Sequence, residues 1–282
     1  MGSMMKIVFS RKGFDDKYGG IPSVIWPETK EMLSFPIPVK PPELGYPAEN
    51  LSFMGKQLSS LLESLDYNRD RQGNNFHYDP MIQSLPEKPQ IGAFGQSGSA
   101  LGHLKNKGIC KGDIFLFFGT FCECYLEQGI LKYLPMHPFH AIWGFLEVDS
   151  HIDIESSQSD DEEELLRKYP ILKKYPALKE HPHIQNRNRY KAKNTLYLGE
   201  NFGTFRFDES LRLTKMNYKK SIWVLPAEFR EAKITHVTPL EYPTDDSRVI
   251  MKTAHIGQEF VLSDPNDGIM EWLNSILERK IV

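Results

Sequence analysis

The sequence predicts an α+β protein, mainly β, with a mixed or antiparallel sheet or small barrel and a few peripheral helices. Three observations carry this expectation. Short β-branched and aromatic runs recur along the chain, at residues 6–9, 113–118 and 140–148. Sustained helical periodicity is confined to a few places, chiefly residues 50–65 and the C-terminus. Strands and helices do not alternate regularly, which disfavours a doubly wound parallel sheet.

The elements follow in order. Residues 6–9 (KIVF) read as a buried strand. A polar, glycine-punctuated loop follows at residues 10–23, and residues 31–35 form a second strand. Repeated proline keeps residues 36–47 extended. Apolar residues at 51, 54, 58, 61, 62 and 65 predict a helix over 50–65 with Asn50 as its N-cap. Residues 66–90 read as loop apart from 76–81. The glycine-dense stretch 92–108 is expected to turn into a short helix near 99–107, with Ser97 as its cap and Gly108 ending it. Further strands are expected at 195–198, 203–207, 221–225 and 259–262. In the C-terminal helix, Asp264 is the expected N-cap and Pro265 the first helical position. Ile269, Trp272, Leu273, Ile276 and Leu277 form its apolar stripe. The acidic run 156–164 opens a solvated helix, because carboxylates suit a helix N-terminus.

Bulk properties narrow the class. Of the 282 residues 40% are apolar and 25% charged, as in folded soluble proteins, and residues 5–282 are taken as one domain. Residues 1–4 (MGSM) read as a leftover of expression. With no run of 18 apolar residues, no membrane span is expected. Three cysteines make no disulfide framework, so reduced thiols and a cytoplasmic protein are expected. A net charge of −3 disfavours binding nucleic acid by bulk charge, yet suits a small nucleotide or a locally basic groove.

Five segments could carry chemistry. The loop 10–23 gathers Ser10, Arg11, Lys12, Asp15, Gly19, Gly20 and Ser23. Its cations can hold an anion, and its glycines let a ligand approach the backbone. Its spacing is not that of a Walker loop, and the glycines at 92–102 do not match the dinucleotide fingerprint, so no cofactor is named. In that second segment Gln96 could read a base edge and His103 could act as donor or base. The third segment places His77 and Asp79 on one face if extended, the minimal kit for a general base or two metal ligands. The fourth, His181-Pro182-His183, would offer two metal ligands from a strand; His137, His140, Cys122 and Cys124 complete no zinc spacing with it, which makes His181 and His183 weak metal candidates. The fifth is the strand pair 112–119 and 140–148, similar to the central pair of PUA-like barrels that bind RNA or modified bases. There His140 could line a pocket and Trp143 could supply a stacking face.

In order along the chain, these segments resemble the nucleotide modification associated domain 3 family. The motifs are Ser10-Arg11-Lys12-Gly13-Phe14-Asp15 with Gly19-Gly20-x-Pro22-Ser23, and His77-x-Asp79-Pro80. Phe94-Gly95-Gln96, His103-Leu104-x-Asn106-x-Gly108 and Gly112-Asp113-x-Phe115 follow. His140-x-Ile142-x-Gly144, His181-Pro182-His183 and Asn194-x-Leu196-Tyr197 complete the series. The resemblance implies a part in modifying nucleotides or DNA bases and leaves the reaction open, and against the family residues 151–170 look like an acidic surface insertion. The leading expectation is therefore an enzyme that binds a nucleotide or base between loop 10–23, residues 77–79 and residues 92–103. Asp15, His77, Asp79 and His103 are its catalytic candidates. The alternatives are a non-catalytic PUA-like reader of a modified base or nucleotide, and a metal-dependent hydrolase using His181 and His183.

Overall fold

The sheet is organised by its longest strand, Ile114–Glu127, whose first nine residues are buried. A computed structural model describes residues 5–40, 45–85, 87–157, 161–190, 193–240, 247–254 and 259–281; residues 1–4, expected to be a leftover of expression, and part of the acidic run lie outside these. An apolar run with no wet side fits only inside a sheet covered on both faces. On one side it pairs antiparallel with Phe139–Glu147. On the other it pairs in parallel with Ile7–Arg11 along its first half and with Ser23–Ile25 along its second. Outer positions are taken by Glu259–Leu262, Phe202–Phe205 and Lys280–Ile281. The result is a curled mixed half-barrel, mainly β, with peripheral helices that include a C-terminal one. The expected strand pair 113–118 and 140–148 lies at its centre, as adjacent antiparallel neighbours.

The loop after the first strand leaves and rejoins one edge. Arg11 lies opposite Phe118 and Ser23 opposite Phe121, so residues 12–22 bulge out over a short gap. Gly119 makes the exit possible: a Cβ there would stand 2.6 Å from the Lys12 carbonyl oxygen.

A three-stranded sheet, Ser150–Asp153, Asn194–Gly199 and Gly92–Ser97, packs beside the main one. Residues 92–97, expected to turn, are thus a strand. Their glycines serve packing: a Cβ on Gly92 would meet Phe202 and Leu146, and one on Gly95 would meet His183. The helix Gly98–Asn106 follows Ser97 as expected, and Gly108 closes it at φ +63°.

Three other expectations are corrected. The helix expected over 50–65 is only Leu58–Ser64, and Gln57 rather than Asn50 stands at its N-cap. Before it comes a hairpin, Ser52–Phe53 with Lys56–Gln57, because Met54 and Gly55 both take positive φ, as tight hairpin turns require. Met54 only mimicked the helical stripe and is 44% exposed. The C-terminal helix, Asp267–Leu277, starts later than expected, because the Asn266 side chain rather than Asp264 accepts the Ile269 N–H. His181-Pro182-His183 lies not on a strand but at the head of the short helix Pro182–Gln185, with proline at a position that needs no N–H donor. The acidic run does open an exposed helix, Glu162–Lys168, capped by Asp161. Among the described residues no helix is long and apolar enough to cross a membrane.

Phe94 ties the small sheet to the large one. Its ring meets Phe115 at 4.8 Å and Phe117 at 5.3 Å, both edge-on, and stacks on Tyr197 at 6.1 Å. Phe94→Ala should cost about 3–5 kcal/mol. Urea unfolding checks this, and a loss below 1 kcal/mol, roughly an ordinary surface change, would contradict it.

Candidate functional site

Three imidazoles from two separated segments meet around one buried carboxylate. The strand Asn75–His77 pairs with Ile37–Pro38, which holds His77 in extended backbone. Tyr78 turns inward, and Asp79 returns to the His77 side, as a two-residue repeat dictates. Asp79 is buried, and its Oδ1 accepts the Gly95 N–H at 2.8 Å. The head of the helix Pro182–Gln185 then delivers two histidines. His181 is fully buried, and its Nδ1 accepts the His183 N–H at 3.2 Å. Its Nε2 lies 3.2 Å from Asp79 Oδ1, off the line of a good hydrogen bond. His183 Nε2 lies 3.9 Å from Asp79 Oδ2, and His77 Nε2 lies 3.7 Å from the same oxygen.

His183 is held from three sides. Its Nδ1 is 2.6 Å from Asn194 Oδ1, and the Asn194 amide donates back to the His183 carbonyl at 2.9 Å. The Tyr190 ring stacks on it at 4.5 Å. The Gly95 backbone lies where a Cβ would fall 2.2 Å from its ring. Burial pushes the His183 imidazole down to about 3, against the pull of the Asp79 charge, so the ring is neutral at pH 7. Burial alone would raise Asp79; the close imidazoles of His181, His77 and His183 outweigh it and hold the carboxyl well below its usual range. The donor atoms of His77, Asp79 and His183 all lie within 4.8 Å of one another, a spacing that could hold one ion.

A small cavity adjoins the cluster, lined by Gly13, Ser34, Asp79, Gln83 and Trp143 among others. It takes in about 170 Å³ of empty space, part of it open to solvent. It suits waters or a group of a few atoms. A larger depression of about 270 Å³ lies beside the acidic helix, lined by Glu155, Asp161, Glu164 and Lys168 among others. Its carboxylates suit an anionic nucleotide poorly, and it holds none of the expected site residues.

The remaining expected residues fall into other neighbourhoods. Ser10, Lys12 and Gln96 converge on Glu259, a buried carboxylate. Its Oε1 receives the Gln96 amide at 2.6 Å and the Ser10 hydroxyl at 3.1 Å, with Lys12 Nζ at 3.4 Å. Lys12 also sits over the Phe94 ring, so its charge is matched inside the protein. Arg11 lies near the Phe118 and Phe260 rings, and burial lowers its pKa against the nearby Asp15 charge. Asp15 Oδ1 accepts the Lys17 and Tyr18 N–H groups and so holds the loop's own turn. Gly19 and Gly20 take positive φ, and a Cβ on Gly19 would strike the Phe14 ring. Ser23 accepts the Phe35 N–H. His103 faces Thr235 at 3.0 Å and His236. His140 is buried, accepting the Trp223 indole N–H at 3.3 Å. Trp143, expected as a stacking face, is 1% exposed and offers no open ring.

Of the expected catalytic residues, then, the fold joins His77 and Asp79, and it adds both weak metal candidates to them. Sequence reasoning gave Glu259, Tyr190 and Asn194 no role. Asn194 opens the last quoted motif, the one signal that marked it in advance. Glu259 had no such marker, because a lone acid at the start of a strand looks like a solvated one.

Gly95→Ala should push the His183 ring off its position and cost about 1–3 kcal/mol. The imidazole resonances in a proton–nitrogen NMR spectrum read the shift; an unchanged spectrum with unchanged stability would remove Gly95 from this account. His140 gives a pH prediction. Burial first, then the charges of Arg11 and Lys220, hold it well below its ordinary value. The unfolded chain therefore takes up a proton near pH 6.5 that the native protein refuses, so stability falls as pH drops, by up to about 1.4 kcal/mol per unit. His140→Asn removes this term, and urea titrations at pH 7 and pH 5 should show a flatter dependence than in the parent. Parallel curves would contradict it.

Comparison with curated proteins and with solved structures returns no match. A family profile, nucleotide modification associated domain 3, matches residues 6–263. That span holds the whole His77–Asp79–His181–His183 cluster and all the expected site residues, and the chain belongs to the nucleotide modification associated domain 3 family.

Proposed function

We propose that this protein is an enzyme that modifies a nucleotide or a base in nucleic acid, with the His77–Asp79–His181–His183 cluster as its reacting centre. One observation carries the reading: three imidazoles from two distant segments are gathered on a single buried carboxylate. Burying a carboxylate is costly unless it is matched, so a fold retains such a group where it does chemistry or holds structure. The family supports nucleotide modification as the setting.

The members divide the work by depth. Asp79 and His181 are enclosed, whereas the His77 side chain is 20% exposed and is the member a substrate can reach. Arg189, exposed in the turn just after the histidine helix, places positive charge near by in the chain, which favours a phosphate-bearing substrate. The small cavity accepts at most a substituent or waters, so the nucleotide body lies on the surface over His77.

The test incubates the full chain with a pool of nucleoside mono- and triphosphates and with DNA and RNA oligonucleotides, followed by mass spectrometry. A new product is expected. Asp79→Asn and His77→Gln should lower its rate by roughly 100-fold or more, the scale at which acid–base groups act. Full activity in both folded variants would sink the assignment of the site. Ligand retention without any product would favour a reader of modified bases instead.

A further inference from the structure

His183 Nε2 and Asp79 Oδ2 face one another as two acceptors with no hydrogen between them. Asn194 brings this about. Its Nδ2 donates to the His183 carbonyl at 2.9 Å, which turns Oδ1 toward His183 Nδ1, 2.6 Å away. A contact that short onto an amide oxygen requires the proton on Nδ1. With the proton on Nδ1, Nε2 is the ring nitrogen that can act as a ligand, and it lies 3.9 Å from Asp79 Oδ2, itself an acceptor. His77 Nε2 stands 3.7 Å from the same oxygen. Meanwhile the other carboxylate oxygen, Oδ1, is occupied by the Gly95 N–H and approached by His181 Nε2. Facing acceptors in a buried pocket repel unless a cation lies between them.

We infer that His77 Nε2, Asp79 Oδ2 and His183 Nε2 bind one divalent first-row transition ion. Two imidazoles and one carboxylate suit zinc or ferrous iron; magnesium and calcium prefer oxygen donors throughout. With metal–ligand bonds of about 2.1 Å, neighbouring donors sit roughly 3.0–3.4 Å apart, so the two imidazole–carboxylate spacings of 3.7 and 3.9 Å need to close by about half an ångström, and the three donors together draw in from a spread of up to 4.8 Å. The surroundings match what a metal site requires beyond its ligands. Asn194 fixes the His183 tautomer, and Gly95 and His181 orient the carboxylate by its other oxygen. Three protein ligands leave coordination positions open, and the partly exposed His77 lies on the accessible side. His181 is a positioning residue here: its Nδ1 faces the His183 N–H and its Nε2 the oxygen that is not used.

This inference deepens the reading of the cluster as the reacting centre and rests on it for its catalytic meaning, but metal binding is measured without substrate, so the two can fail separately. The full chain is stripped with a chelator and titrated with Zn²⁺, with Co²⁺ as a spectroscopic stand-in, with Fe²⁺ under anaerobic conditions, and with Mg²⁺. One transition ion per chain is expected, read by elemental analysis after desalting, with visible Co²⁺ absorption of a low-symmetry site and no Mg²⁺ retained. His77→Gln and His183→Gln should each weaken Zn²⁺ by at least 100-fold. Asn194→Ala should weaken it roughly 10- to 100-fold, the usual cost of losing an outer partner, and His181→Gln should keep the stoichiometry. If His183→Gln fails to fold, the more exposed His77→Gln decides alone. Retention of no ion, or affinity unchanged in a folded His77→Gln protein, overturns the proposal. A bound ion with no nucleotide product would leave the metal site standing and reject the enzymatic reading.

Discussion

A strand with no wet face has to lie inside a sheet, and Ile114–Glu127 imposes that condition on most of this protein. Its buried half needs hydrogen-bonding neighbours on both edges and apolar cover on both faces. Ile7–Arg11 and Phe139–Glu147 meet the first need. Rings meet the second, Phe9, Trp223 and Phe260 around Phe118, and Phe94, Trp143 and Tyr197 around Phe115 and Phe117. The loop at 12–22 follows from the same condition. The chain peels away where Gly119 leaves room for the Lys12 carbonyl, buries Phe14 among aromatic rings, and rejoins the strand at Ser23.

Two of the buried carboxylates, Glu259 and Asp79, mark where polar chemistry enters this interior. Glu259 gathers Ser10, Lys12 and Gln96, and so joins the first strand, its exit loop and the small sheet. Burial raises its pKa while Lys12 opposes the rise, and this cationic partner makes the node read as a structural joint. Asp79 differs because its partners are imidazoles, which can be neutral and can present lone pairs. That difference in partner chemistry is why the second node and not the first is taken as the reacting centre.

Much of the architecture was legible from local pattern. The strands at 7–11, 194–199 and 259–262 fall where β-branched and aromatic runs predict them, and the helix Gly98–Asn106 ends at the glycine that predicts its stop. Misreadings arose where a short-range pattern had two meanings. Leu51 and Met54 fit a helical stripe, but Gly55 favoured a tight hairpin. The glycines at 92 and 95 looked like turn residues, and they are strand positions against which Leu146, Phe202 and His183 pack. In the site, His77 and Asp79 were readable as a pair because two residues of extended chain put them on one side. The charges of loop 10–23 looked solvated or ligand-facing, yet Lys12 and Asp15 are matched within the protein. Sequence gives charge and spacing but not which side of the surface a side chain faces.

By itself the sequence determined the class of fold, the central strand pair and the family, because these depend on residue type at short, regular intervals and on motifs in order. The tertiary structure alone decided that His181 and His183 reach Asp79. About a hundred residues separate them along the chain, and the meeting depends on the Asn194 strand lying beside the Gly95 strand. The same pairing sets the Asn194 amide against His183 and the Gly95 N–H against Asp79. No local propensity encodes that pairing; it forms because burying Phe94 and Tyr197 against Phe115 brings the two sheets together.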